Sequence, residues 1–138
     1  MPIPHSLRLT LIAGELAVCR LPSDAAVPTW AGGPAPFVSI TRTPEELSIV
    51  CPAAHVPAGT TASHGWRVLR VEGPLPLDLI GIFAALGTPL ANAGVSIFPI
   101  ATYDTDWLLV PGAQLTRAID ALRDAGHTIA IPEPSSPT

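Results

Sequence analysis

The chain has 138 residues, of which 48% are apolar and only 13% charged, about half of the roughly 25% typical of globular proteins. This composition excludes a disordered chain, because disorder combines low hydrophobicity with high charge. The net charge is −4 and the seven basic residues, all arginine, are scattered along the sequence. We therefore expect no nucleic-acid partner, since such a surface needs clustered positive charge.

The first half of the chain is predicted to consist of strands joined by proline-rich loops. The strand segments, recognised by alternation or β-branched content, are 7–12, 15–21, 37–41 and 47–51. Four prolines and two adjacent glycines between 22 and 36 leave room for one short helical turn. Thr43 precedes Pro44 and two glutamates, which favours a short turn. Residues 52–65 are predicted to be loop or short helix, with a linker-like patch at 59–63.

The second half is more regular. Its predicted elements are a strand at 66–71, a helix from Asp78 to about Ala91, strands at 95–101 and 107–110, a helix at 113–125 and a strand at 127–131. The first helix carries an apolar stripe at helical spacing, formed by Leu79, Ile82, Phe83, Leu86 and Leu90. Gly94 and Gly126 follow the two helices, where a left-handed residue commonly ends a helix.

This order, βαββαβ, is the ferredoxin-like plan of a four-stranded antiparallel sheet with two helices on one face. The first half has the same order of strands with its helices reduced to short turns. The sequence thus predicts an α+β protein with two ferredoxin-like repeats, a degenerate first domain at 7–64 and a second at 65–131. Residues 132–138 are predicted to be a disordered tail.

The stretch between Asp78 and Asp104 has no formal charge and is long enough to span a bilayer. Its internal prolines, glycines and Asn92 break it into a helix, a turn and a strand, so no membrane association is expected. The first residues lack the pattern of a secretory signal, which predicts a cytoplasmic protein. In that compartment Cys19 and Cys51 are expected to be reduced and buried in strands.

Catalytic and metal-binding motifs are absent from the sequence. Four histidines, two cysteines and eleven carboxylates show no metal-ligand spacing, and no phosphate-binding or nucleophile motif occurs. We expect no cofactor, no metal and no enzymatic activity. An enzyme using Asp104, Asp106 and His64 is the least favoured alternative, because no base and nucleophile have suitable spacing.

One polar cluster lies in a predicted hairpin of otherwise apolar residues. Asp104 and Asp106 lie at its tip and at the start of its second strand, with Thr105 between them. Turn chemistry explains such residues without any function. The functional interpretation is that a carboxylate beginning an apolar strand needs a cationic partner, such as a ligand ammonium or guanidinium.

Two segments of the sequence resemble a known family. The stretch from Asp78-Leu-Ile-Gly-Ile-Phe to Gly94-Val-Ser-Ile-Phe-Pro-Ile-Ala-Thr-Tyr-Asp-Thr-Asp is similar to the regulatory ACT domain of aspartate kinases. Together with Phe37-x-Ser-x-Thr-Arg-Thr-x-Glu-Glu-Leu-Ser, it resembles small stand-alone tandem ACT proteins. Cytosolic arginine sensors look like longer relatives. The resemblance covers residues 7 to about 129.

The resemblance implies ACT folds that pair side by side, here as a homodimer, and bind a free amino acid between them. Gly94, Val95, Ser96 and Ile97 match the loop and strand whose backbone holds the amino acid's α-groups. Asp106 matches the acidic residue that receives a basic side chain, with Asp104 and Thr105 beside it. Ser39 and Thr41 are candidates for the opposite wall. Pro99 departs from the pattern of the kinases and must lie where no ladder hydrogen bond is needed, at an edge or a bulge.

The sequence therefore predicts a non-catalytic amino-acid-binding regulatory or sensor protein, with a regulated protein as a further partner. The alternative is a protein–protein interaction module with a vestigial ligand site, which the low charge and abundant proline also fit.

Overall fold

The computed structural model describes residues 6–76 and 80–132. Its strands are β1 (Arg8–Leu11), β2 (Leu16–Leu21), β3 (Ser39–Arg42), β4 (Leu47–Pro52), β5 (Ala62–Val71), β6 (Phe98–Ala101), β7 (Asp106–Pro111) and β8 (Thr128–Ala130). Its helices are α1 (Ile82–Asn92) and α2 (Leu115–Asp124), and short 3₁₀ turns occur at Thr29–Ala31, Ala53–His55 and Gly112–Gln114. The protein is therefore of the α+β class, and β5 to β8 follow the predicted βαββαβ order.

The chain divides into two compact units, which we call the helical unit and the strand unit. The helical unit contains residues up to Ala13 and from Arg67 onward, and the strand unit contains Gly14–Trp66. Strand β5 contributes its first residues to the strand unit and its last residues to the helical unit. The first predicted strand belongs to the helical unit, because β1 pairs antiparallel with β5 and parallel with β8.

In the helical unit, both helices pack their apolar stripes against strand residues in one core. Ile82, Leu86 and Leu90 of α1 are buried in this core, as their spacing predicts. Helix α2 contributes Ala118, Ile119 and Leu122. The strands contribute alternate residues, namely Leu9, Leu11, Leu69, Val71, Leu108, Val110 and Ile129. This alternation is expected where one face of a sheet is covered by helices.

In the strand unit, β2 lies between β4 and β5, and β3 extends the sheet beyond β4. Its core contains Ala17, Cys19, Ala31, Leu47, Ile49 and Cys51. Ala17 pairs with Cys51 and Cys19 with Ile49, so the two cysteines are diagonal neighbours on one face. Both are free and buried, as predicted.

Three predicted boundaries differ from the structure by three or more residues. The patch at 59–63 is partly strand, because β5 begins at Ala62 and pairs with β2. Helix α1 begins at Ile82, after Gly81 with φ +86°; Asp78, Leu79 and residues 133–138 lie outside the described residues. The segment 95–97 is irregular, and β6 begins only at Phe98. The glycines after the helices are left-handed, with φ +74° at Gly94 and +97° at Gly126.

Candidate functional site

The turn between β6 and β7 is closed by a threonine at its first position. The Thr102 N–H donates to the Thr105 carbonyl at 3.0 Å, and the Thr102 hydroxyl donates to the same oxygen at 2.7 Å. The Trp107 Nε1–H donates in turn to the Thr102 Oγ1 at 3.1 Å. One hydroxyl thus fixes both the turn and the indole ring that follows it.

The loop after β5 is fastened to this turn. The Thr105 hydroxyl donates to the Val71 carbonyl at 2.6 Å, and the Leu75 N–H donates to the Asp104 carbonyl at 2.6 Å. Gly73 lies so close that a Cβ there would be 2.9 Å from the Thr105 Cβ and 3.1 Å from the Asp104 carbonyl oxygen. Loop and turn therefore form one tightly packed corner of the helical unit, which only a glycine at position 73 permits without displacement.

Thr102, Tyr103 and Thr105 of this corner line two cavities. The smaller, of about 100 Å³, is completed by Leu75, Pro76, Ile82, Ala101 and Asp106. The larger, of about 530 Å³, is completed by Arg70, Gly73, Pro74, Asp104 and Trp107. The two carboxylates of the predicted site thus line different cavities, although only one residue separates them.

Asp106 is the first residue of β7 and lies opposite Ala101 of β6. It is only partly exposed, and apolar side chains of Leu75, Pro76 and Ile82 share its cavity. Within residues 6–76 and 80–132, its carboxylate forms no hydrogen bond or ion pair. Burial raises the pKa of the Asp106 carboxyl above its ordinary value, because the anion loses hydration and gains no protein cation in return.

The outer edge of β6 is unpaired in the part of the chain that is described, since this strand pairs with β7 alone. In an antiparallel pair, residues that are hydrogen-bonded to the partner strand alternate with residues whose backbone groups point away from it. Thr102 is hydrogen-bonded to Thr105, so the backbone groups of Pro99 and Ala101 point to the outer edge. Pro99 therefore lies where no ladder hydrogen bond is needed, which confirms the prediction made for it. The Ala101 N–H and carbonyl are exposed beside Asp106, and they offer one donor and one acceptor.

The segment Gly94–Ile97 lies at the other end of β6. The Val95 N–H donates to the Leu90 carbonyl at 2.9 Å, and the Ser96 N–H donates to the Gln114 Oε1 at 3.0 Å. The Gly94 N–H also donates, to the Ala91 carbonyl at 3.1 Å, so three of the segment's four backbone donors already have partners within the chain. Ile97 precedes Ala101 by four residues, which corresponds to about 13 Å along a strand. None of these four residues lines the cavity of Asp106.

Ser39 and Thr41 lie on β3 in the strand unit. Ser39 is half-buried opposite Val50, and Thr41 is exposed opposite Ser48. Asp104 is exposed, whereas Thr105 is buried and its hydroxyl donates to the Val71 carbonyl. Of the predicted site residues, the structure thus groups Asp104, Thr105 and Asp106 around one turn.

Sequence reasoning missed Arg70, Gly73 and Trp107 as residues of this corner. It also did not foresee the contacts of His127. The His127 ring is buried, with Nδ1 accepting from the Leu7 N–H at 3.0 Å and Nε2 lying 3.1 Å from the Ala85 carbonyl. This geometry assigns the neutral ring with its proton on Nε2. The residues concerned are far apart in sequence, so no local pattern could have revealed these contacts.

Within the described residues, no group of three potential ligands could hold a metal ion. None of the helices described is long and apolar enough to cross a bilayer. The features observed are instead a partly buried carboxylate, an unpaired strand edge and two cavities, all within a ferredoxin-like unit. The described part of the chain thus combines an α+β fold with features that are typical of small-molecule sites.

Comparison with known proteins agrees with this description. Residues 61–124 match the ACT domain family, and residues 14–59 match a second family described as an N-terminal domain. A solved structure from Agobacterium tumefaciens has a TM-score of 0.88 and 35% identity over the whole of both chains. The regulatory subunit of aspartate kinase from Thermus thermophilus has a TM-score of 0.57 and covers 81% of this chain and 91% of its own; at 12% identity it shows a shared fold.

Among curated relatives, the cytosolic arginine sensor for mTORC1 subunit 1 of Rattus norvegicus is 33% identical over 126 residues. The match covers 83% of this chain but 37% of the relative, so the chain spans little more than a third of that protein's length. The chain therefore contains an ACT domain over residues 61–124.

Proposed function

We propose that this protein is a non-catalytic regulatory protein that binds a free basic amino acid, with Asp106 receiving the cationic group. The observation that carries the proposal is the Asp106 carboxylate, partly buried beside apolar side chains with no partner in the described chain. A carboxylate in such surroundings is destabilising unless a ligand pairs with it. The ACT domain and similarity to an arginine sensor support amino-acid-binding regulation as the function.

The size of the Asp106 cavity limits what it can hold. About 100 Å³ admits a guanidinium or ammonium group with its adjoining methylenes, but not a whole amino acid. The α-ammonium and α-carboxylate must therefore lie outside it, where the Ala101 N–H and carbonyl offer one donor and one acceptor. The cavity thus favours a ligand whose cation is carried on a long side chain, such as arginine or lysine.

The proposal extends to assembly and location. Following the family resemblance, the ligand lies between ACT units of two copies, so the protein is a cytoplasmic homodimer that responds to its ligand by passing a signal to a regulated protein. A ligand that binds only the paired state shifts the equilibrium toward that state. Light scattering with and without L-arginine tests this step, and a monomer at both conditions contradicts it.

Calorimetry against the twenty amino acids tests the binding itself. We expect L-arginine or L-lysine to bind, and Asp106→Asn to weaken that binding at least about tenfold, since a charge-assisted pair is lost. Asp124→Asn is the matched control, because it neutralises an exposed carboxylate at the end of α2. No binding of any basic amino acid by the folded protein would sink the proposal, as would equal affinity in the Asp106→Asn variant.

A second candidate function is favoured by the exposure of Tyr103, whose side chain is 80% exposed at the tip of the turn. An aromatic side chain in that position is typical of a protein-binding surface. On this alternative the ligand site is vestigial and the turn docks on a partner. Capture of one partner that is lost in Tyr103→Ser and indifferent to added amino acids supports the alternative; capture that requires arginine supports the sensor.

A further inference from the structure

The larger cavity at the corner carries one charge of each sign. Arg70 projects from β5 and Asp104 from the turn, and both line the same space of about 530 Å³. Neither side chain forms a hydrogen bond or an ion pair with any residue in the described ranges. An anion alone would be repelled by Asp104 and a cation alone by Arg70, whereas a molecule carrying both charges would satisfy both residues.

Besides these two charged residues, the cavity is lined by aromatic residues, a proline, a glycine and two threonines. Trp107 lines the cavity, and its Nε1–H is held by the Thr102 hydroxyl. Pro74 adds apolar surface, and the exposed ring of Tyr103 stands at the rim. The volume falls within the roughly 300–1,000 Å³ of small-molecule sites, so a whole amino acid with a large side chain fits.

We propose that this cavity is a second, separate binding site for a zwitterionic α-amino acid with an aromatic side chain. Arg70 holds the α-carboxylate, since a guanidinium matches a carboxylate through two parallel hydrogen bonds. Asp104 holds the α-ammonium, and the ligand's ring packs against Trp107. The site goes beyond the function proposed above, because it uses neither Asp106 nor the cavity that Asp106 lines.

Three probes with the same aromatic ring separate the roles of the two charges. L-Phenylalanine carries both charges, 3-phenylpropionate only the carboxylate and 2-phenylethylamine only the ammonium. By calorimetry on the full chain, we expect L-phenylalanine to bind about tenfold more tightly than either of the others. No binding of L-phenylalanine, or equal affinity for the three probes, would overturn the proposal.

Charge-removing variants test the assignment of each contact. Arg70→Gln should weaken L-phenylalanine and 3-phenylpropionate about three- to tenfold, a modest loss because both charges are exposed. It should not weaken 2-phenylethylamine and should bind it slightly more tightly, because the charge that repels the ammonium is removed. Asp104→Asn should show the converse pattern. Both positions are on the surface, so both variants are expected to fold, and a thermal melt checks this.

The Asp106→Asn variant distinguishes this site from the one proposed for basic amino acids. It should bind L-phenylalanine as tightly as the original protein. Loss of L-phenylalanine binding in Asp106→Asn, with Arg70→Gln unaffected, would show a single site at Asp106 and overturn the second one. Loss of arginine binding alone, with L-phenylalanine retained, would leave the second site standing.

Discussion

The hairpins β3–β4 and β6–β7 have the same local design. In each, a four-residue strand is followed by a four-residue turn and a six-residue strand that ends in proline and continues into a 3₁₀ turn. Each turn is closed by a threonine N–H, with Thr43 donating to Glu46 at 2.9 Å and Thr102 to Thr105 at 3.0 Å. The equivalent residues that begin the second strands are Leu47 and Asp106.

These two equivalent residues have opposite properties. Leu47 is fully buried in the core of the strand unit, whereas Asp106 is a partly exposed carboxylate without a partner in the described chain. Because the hairpin geometry is the same, the fold does not require an acid at this position. The comparison therefore separates a residue that stabilises the fold from one that costs stability, as expected of a ligand contact.

The largest effect on stability is expected when a carboxylate is placed at the equivalent position of the β3–β4 hairpin. Leu47→Asp puts an unpaired carboxylate into an apolar core and should lower the free energy of unfolding by about 4 kcal/mol or more. Urea denaturation measures this, with Leu47→Met as the volume-conserving control at less than about 1.5 kcal/mol. A stable Leu47→Asp protein would mean that this core tolerates charge and that the contrast with Asp106 is not meaningful.

A substitution at Gly73 should disrupt the packing of the loop against the turn that carries Asp106. Gly73→Ala introduces a Cβ 2.9 Å from the Thr105 Cβ, so loop and turn must separate, at an expected cost of about 2 kcal/mol. Gly33→Ala is the matched control, because a Cβ there has no atom within 4 Å. Urea midpoints compare the two variants. Equal stability of both would show that the packing of Gly73 on the turn is unimportant.

The two hairpins should also differ in how much they contribute to the loss of stability at alkaline pH. Burial, with the neighbouring Cys19 thiol, raises the pKa of Cys51 from 9.0 to about 11. The folded state thus holds a proton that the unfolded state releases, and stability should fall as the pH rises from 9 towards 11. Val110 occupies the equivalent position in β7, so Cys51→Val should reduce this loss in unfolding experiments between pH 8 and 11. The same pH dependence in the variant would assign it to other groups.

The smallest effect on stability is expected at Asp106 itself. Since burial raises the pKa of its carboxyl, ionisation disfavours the folded state, and Asp106→Asn should slightly stabilise the ligand-free protein at pH 7. The gain should vanish below pH 3.8, where the carboxyl is protonated in both states, and grow as the pH rises through the raised pKa. Thermal melts of the variant and the original protein, from below pH 3.8 to pH 7, measure this difference in stability. Destabilisation by Asp106→Asn at pH 7 would indicate a structural role.

The sequence revealed those parts of the fold that depend on local patterns. The stripe of Ile82, Leu86 and Leu90 and the glycines after both helices are local signals, and all were observed. The start of β5 at Ala62 was not foreseen, because its pairing with β2 overrides a composition typical of linkers. Arg70, Gly73 and Trp107 come together only through the register of β5 and β7, which short sequence patterns do not encode.

The pairing of β1 has a consequence for the order of folding. The strand unit is one continuous segment, so all its contacts can form once Trp66 has been synthesised. The helical unit cannot be completed so early, because β1 pairs with β8. The paired residues Leu9 and Ile129 are 120 residues apart in the sequence. Closing so long a loop is entropically costly and slow. During synthesis β1 therefore stays unpaired on its β8 side until Ala130 has been added, and we expect its apolar residues to be exposed to misassembly for that time.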